Sequence, residues 1–148
     1  MFPALRPSER LALVAAIDPA SQAAGAPAVT GWLKADQFFN YFALIQLGAI
    51  SAGGTVDAKF EQASDATGTG AKAIAGKAIT PLADPAGDSK QAMIELQPDE
   101  MDIPGGFKWF RLSIQATTAA ALASAAVFGV DPRYAPPAQA ASVAQIAR

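Results

Sequence analysis

From Phe38 to Ile50 the chain reads FFNYFALIQLGAI and is apolar in both alternation phases. Phe39, Tyr41, Ala43, Ile45 and Leu47 fall in one phase, and Phe42, Leu44 and Ile50 in the other. Such a run predicts a strand covered on both faces, although periodicity alone also admits a buried helix. Ser-Ala-Gly-Gly follows as a turn, and residues 55–64 then alternate, Val56, Ala58 and Phe60 against Thr55, Asp57, Lys59 and Glu61. That is the period-two mark of a strand with one wet face. The unit reads as a buried strand, a glycine turn and a half-buried partner strand. Val56, Phe60 and Ala63 also fit helical spacing, so the strand reading of this segment leans on its alternation.

A second clean alternation runs through residues 107–118, with Phe110, Leu112, Ile114 and Ala116 on one face and Trp109, Arg111, Ser113 and Gln115 on the other. Gln91–Leu96 alternates likewise through Ala92, Ile94 and Leu96. Residues 71–82 read as a broken strand around Ile74 and Ile79, with Gly76 as a bulge. Residues 29–33 form a brief strand, and residues 11–17 a strand or about two helical turns closed by Asp18-Pro19. Residues 119–130 are alanine-rich, which favours helix. The strand 107–118 nevertheless needs a neighbour, and residues 122–130 are expected to be its antiparallel partner.

The prolines of residues 1–10 predict an extended arm, since proline cannot donate to a ladder. Residues 18–28, 65–70 and 83–90 read as loops, the second of them flexible, and residues 99–102 as one helical turn. The expected organisation is an N-terminal arm and loop (1–28), a β domain (29–134) and a C-terminal tail (135–148) with a short terminal helix. At 148 residues one domain accommodates the chain, and a domain of this size buries roughly 70% of its unfolded surface.

Composition narrows the function classes. Charged residues make up 16% and apolar residues 51%, against roughly 25% charged in globular proteins generally. This hints that part of the surface lies against copies of the chain or a partner, while a small-residue-rich coding bias is the plainer reading. The net charge of −2 and the scattered basic residues argue against a nucleic-acid partner, which needs clustered Lys and Arg. No secretory signal and no membrane span is read. With no cysteine and no histidine, disulfides, thiolate chemistry and a Ser-His-Asp triad are excluded.

The run GTGAKAIAGK (residues 68–77) has five residues between Gly70 and Gly76, and Ala78 where a phosphate loop requires Ser or Thr. It reads as surface loop. The acids Asp57, Glu61 and Asp65, and Asp99, Glu100 and Asp102, lack calcium-loop spacing and read as solvated faces. No catalytic residue, cofactor site or metal site is expected, and the chain is not read as an enzyme. Trp109 and Tyr41 suit packing in a core or against a subunit better than a sugar platform.

The segments TVDAKFEQASDATGTGAKAIAGKAITPL, SKQAMIELQPDEMD, GFKWFRLSIQATT and VFGVDPRY resemble a family of small tailed-bacteriophage structural proteins from the head-gene region, over about residues 31–134. The resemblance implies an antiparallel β-sandwich, jelly-roll-like, with an extended N-terminal arm and a C-terminal tail. It also implies capsid decoration: a cement protein on the virion's capsid surface, made in the host cytoplasm. Its partners would be the major capsid protein and copies of itself as a trimer or dimer. The expected contact residues are Phe2, Leu5, Arg6, Tyr41, Ile45, Trp109, Arg133 and Tyr134. Another virion part (head–tail connector, vertex or tail protein) and a glycan-binding module using Trp109 are the alternatives.

Overall fold

The computed structural model describes residues 4–147; Phe2, one of the expected contact residues, lies outside them. A single helical turn, α1 (Pro7–Arg10), precedes β1 (Leu11–Gln22), β2 (Pro27–Val29), β3 (Leu33–Lys34), β4 (Phe38–Ile50) and β5 (Thr55–Ala63). There follow β6 (Lys72–Ala78), β7 (Leu82–Ala83), β8 (Gln91–Leu96), a 3-10 turn at Pro98–Glu100, β9 (Trp109–Thr117) and β10 (Ala121–Pro132). No helix among the described residues is long and apolar enough to cross a membrane.

The strands form two antiparallel sheets. One is ordered β1-β10-β4-β8 and the other β2-β9-β5-β6, with β3 continuing beside β9 and β7 beside β5. Taking β2 with β3, and β6 with β7, as interrupted strands leaves four strands in each sheet. The chain passes between the sheets in the order of an eight-stranded jelly roll. The expected antiparallel sandwich is thus the observed fold.

Two expected pairings are wrong, for one reason. The turn after β4 does not make a hairpin with β5: β4 pairs with β10 and β8, and β5 with β9, β6 and β7. In the same way β10 pairs with β1 and β4 instead of with β9. In each case the short connection carries the chain across the core to the opposite sheet. Alternation specifies which face of a strand is buried and is silent on which strand lies beside it. Gly53, at φ +73°, supports the first crossing, a conformation glycine adopts without the cost of a Cβ.

The inward rows meet in one core. Val56, Phe60, Phe110, Leu112, Ile114 and Ala116 from one sheet are fully buried against Tyr41, Ala43, Ile45, Leu96 and Val127 from the other. Phe110 sits between two edge-on ring contacts, with centroids 4.7 Å from Tyr41 and 5.5 Å from Phe60, an arrangement that satisfies the ring quadrupoles. Next to Tyr41 the alternation of β4 breaks: Phe38 turns inward against Tyr41 and Phe39 turns out. Gly129 makes room for Phe38, since a Cβ there would lie 2.4 Å from a ring carbon.

The ends of the chain depart from expectation. Residues 7–10 are helical, with Pro7 at the first position, where its missing N–H costs nothing. The Arg6 amide donates to the Glu9 carboxylate at 2.7 Å. The expected arm-and-loop region 1–28 contains β1 through Gln22 and β2, both integral to the sheets. The residue 29–33 strand is divided into β2 and β3 around Thr30, whose hydroxyl accepts the Leu112 amide at 3.0 Å. The tail folds back on its own domain along the free edge of β1, and no helix forms in its described residues. Gln139 accepts the Leu13 amide at 2.9 Å and donates to the Leu11 carbonyl at 3.1 Å, and the Ala140 amide donates to the Leu13 carbonyl at 2.7 Å. Covering an exposed strand edge removes a template for pairing with another chain.

The bulge expected at Gly76 is present. Lys59 pairs with Ala78 and Glu61 with Ala73, so β6 carries extra residues where Gly76 adopts φ +73°.

Candidate interaction surfaces

The core is filled, and every buried side-chain polar atom among the described residues is partnered. The two outer sheet faces differ sharply in character.

On the β2-β9-β5-β6 side, the outer face is polar. Arg111 of β9 donates through Nε to Glu61 of β5 at 2.8 Å, and Lys59 lies 3.2 Å from the same carboxylate. The Arg111 guanidinium also covers the Trp32 ring at 4.5 Å, a cation–π contact. Burial pushes the Glu61 carboxyl up, and the hydrogen bonds from Arg111 and Lys59 outweigh it, leaving the group below its ordinary value. Trp109 stands half-buried at the start of β9, opposite Ala63 and Lys34.

The loop read as flexible, residues 65–70, is organised by one carboxylate. Asp65 accepts from the Thr67 amide at 2.9 Å, the Thr67 hydroxyl at 2.7 Å and the Thr69 amide at 3.1 Å. Hydrogen bonds from Thr69 and Thr67 hold its carboxyl far below the usual carboxylate range. The rest of the rejected phosphate-loop run lies in β6, where Lys72 pairs with Asp102 at 2.7 Å and Lys77 with Glu100 at 2.6 Å. Both lysines are thus engaged by surface carboxylates.

The outer face of the β1-β10-β4-β8 sheet is apolar. Register places Leu13, Phe128, Phe42 and Glu95 in one row across the four strands. Ala16, Ala126, Leu44 and Met93 form the next, and Leu11, Val130 and Asn40 continue on the other side. The Phe42 and Phe128 rings stack with centroids 5.0 Å apart.

The third surface is one end of the molecule. Arg10 of the N-terminal turn pairs with Asp131 at the end of β10, 2.8 Å away. Two residues on, Arg133 donates its backbone amide to the Gln37 carbonyl and lays its guanidinium over Phe39 at 4.4 Å. Phe39 and Tyr134 are exposed here, Tyr134 at 77%, and Leu5 is exposed ahead of the N-terminal turn.

The expected contact residues therefore divide. Leu5, Arg6, Arg133 and Tyr134 are exposed, the first two ahead of β1 and the last two just after β10, and the Arg10–Asp131 pair ties the start of β1 to the end of β10. Tyr41 and Ile45 are corrected: they are core residues, 3% and 0% exposed. The Tyr41 hydroxyl accepts the Phe38 amide and donates to the Lys34 carbonyl, and burial raises its pKa. Of the two apolar faces read in β4, the one facing out carries Phe42 and Leu44. Phe128 and Leu122 escaped the sequence reading, because residues 119–130 had no assigned face; Met93 lies on the face of Gln91–Leu96 opposite Ala92, Ile94 and Leu96.

No family model matches the chain, and no curated protein matches it. Among solved structures it is similar to a chain of infectious bursal disease virus, Gx strain, at 14% identity and a TM-score of 0.46, over 86% of this chain and 33% of that one. It is also similar to a chain of broad bean stain virus at 12% identity and a TM-score of 0.37, over 80% of this chain and 65% of that one. The chain thus spans about a third of the length of the first.

Proposed function

We propose that this protein is a non-enzymatic structural component of a virus particle, a decoration protein that binds the assembled capsid shell and stabilises it. The observation that carries the reading is the end of the jelly roll where Phe39 and Tyr134 are exposed and the Arg133 guanidinium lies over the Phe39 ring. Apolar anchors next to arginines are the composition of a protein-binding hot spot. They are displayed on a body whose packed core costs nothing to reorganise on binding. The sequence resemblance over residues 31–134 supplies the partner class, a major capsid protein.

A protein that binds the assembled shell and not its free subunits raises the shell's apparent stability by mass action. Particles lacking this protein are expected to assemble and then to open on heating at a lower temperature than complete particles. Equal heat resistance would sink the cement reading. Copy number separates it from a portal, vertex or tail position, since decoration requires hundreds of copies per particle and those positions a handful. In a pelleting assay with undecorated shells, the Arg133→Ala/Tyr134→Ala double variant is expected to bind at least about tenfold more weakly, the loss of one modest hot spot.

A further inference from the structure

We infer that two copies of this chain associate face to face through the outer surface of the β1-β10-β4-β8 sheet, as a twofold-symmetric dimer centred on Phe42, Leu44 and Phe128. The inference goes beyond the proposed attachment to a shell and uses a different surface.

Its first support is an inversion of side-chain volume along β10. Toward the core this strand presents Ala121, Ala123 and Ala125 before Val127, all buried. Outward it presents Leu122, Ser124, Ala126, Phe128 and Val130. An isolated sandwich places its larger apolar side chains inward, where burial is worth about 25 cal/mol per Å². Here the large residues point the other way, and they meet equally apolar outward neighbours: Phe42 and Leu44 on β4, Met93 on β8, and Leu11 and Leu13 on β1.

The second support is area. Four strands spaced about 4.8 Å apart give a width of about 19 Å, and the outward positions from Leu122 to Val130 at about 3.4 Å per residue give a length near 30 Å. A plane of that size, about 570 Å², is close to the roughly 600 Å² per partner at the small end of specific interfaces. It lies at the top of the roughly 300–600 Å² range of a monomer's largest apolar patch, a size that is often functional.

Charge selects the occupant. Among the outward positions of the three rows across the sheet, Glu95 alone is charged, and it lies on the edge strand. At that edge Lys77 and Glu100, paired with each other, line the hollow beside Phe42 and Val130, so the charge at the rim is largely balanced and creates little repulsion against a copy of itself. Sheet faces pack on one another at about 10 Å with strands within about 30° of alignment. The same patch on both partners makes the contact isologous and closes it at two copies.

Analytical ultracentrifugation of the full chain tests this. The wild type is expected to sediment at twice the 15.1 kDa chain mass. Leu44→Glu is expected to weaken association by roughly 100-fold, as for loss of a buried hot spot. Met93→Lys, at a position already 58% exposed, places a charge on the same face with little burden on folding and is expected to shift the equilibrium toward monomer. It decides the matter if Leu44→Glu does not fold. Gln115→Glu, on the outer face of the other sheet, is expected to leave the dimer intact. A wild type that stays monomeric up to about 100 μM, well above the Kd of specific complexes, overturns the inference. So does a trimer, or a dimer indifferent to both charged variants. A dimer that fails to bind shells would leave this inference standing and remove the proposed function, and a monomer that binds shells would do the reverse.

Discussion

Gly129 shows how one residue carries a consequence that its neighbours conceal. In the sequence it is a glycine within an alanine-rich strand, where it weakens the strand. In the fold it is the floor on which the Phe38 ring rests. Gly129→Ala is expected to destabilise the protein by about 1–3 kcal/mol through overpacking, read as a lower urea midpoint. Phe60→Ala, which empties a fully buried position between the sheets, is expected to cost about 3–5 kcal/mol by the same measurement. Glu61 supplies a pH prediction. Its folded-state pKa lies below the ordinary 4.5, so its contribution is present in full above that value and is lost as pH falls through the folded value. Thermal midpoints are expected to be level from neutral pH to about 5 and to fall below about 4, with the acid limb shallower in Glu61→Gln. An identical acid limb in that variant would remove Glu61 from the account. Tyr41 and Ile45 teach the complementary lesson: large apolar side chains in a two-faced strand invite assignment to an interface, and only the position of the opposite sheet assigns them to the core.

At the scale of elements, the alternating segments were legible because a strand's two faces meet different solvents. Gln91–Leu96 and the inward rows of β5 and β9 are where their patterns place them. The tail was not legible, because nothing in a run of alanine, proline and glutamine says which strand edge it will cover. Its docking rests on Gln139, whose amide bridges the Leu13 amide and the Leu11 carbonyl. Gln139→Ala is expected to accelerate hydrogen exchange at the Leu13 amide while leaving the Ile45 amide, central in the sheet, unchanged. Equal protection at Leu13 in both proteins would mean that the Ala140 contact alone holds the tail. β10 was read correctly as a strand over residues 122–130 despite its alanines, but its partner was expected to be β9 and is β1 and β4 instead. Beside the inward row of β4, the buried Ala121, Ala123 and Ala125 are the small side of a strand whose large side chains face out.

For the molecule as a whole, the two outer faces divide the work. The polar face, with Arg111, Glu61 and Lys59 in mutual contact, is complete in water. The apolar face and the Arg133–Tyr134 end are where partners are expected, a second copy on one and a capsid shell on the other. The two assignments make separable demands, since a charge at Met93 is expected to affect self-association and substitutions at Arg133 and Tyr134 to affect shell binding.

The sequence by itself determined that the domain is mainly β, most of its strands and the inward rows of β5, β8 and β9, because alternation and turn residues act over a few positions. Tertiary structure alone decided which strands are neighbours, which face of β4 is core, and that both ends of the described chain return to the body. Those choices depend on contacts between residues far apart in the chain, where burial of one whole sheet against the other outweighs any local preference. The stretch from Phe38 to Ile50 carries both kinds of information: its pattern says that both faces are apolar, and the opposing sheet says which of them remains for a partner.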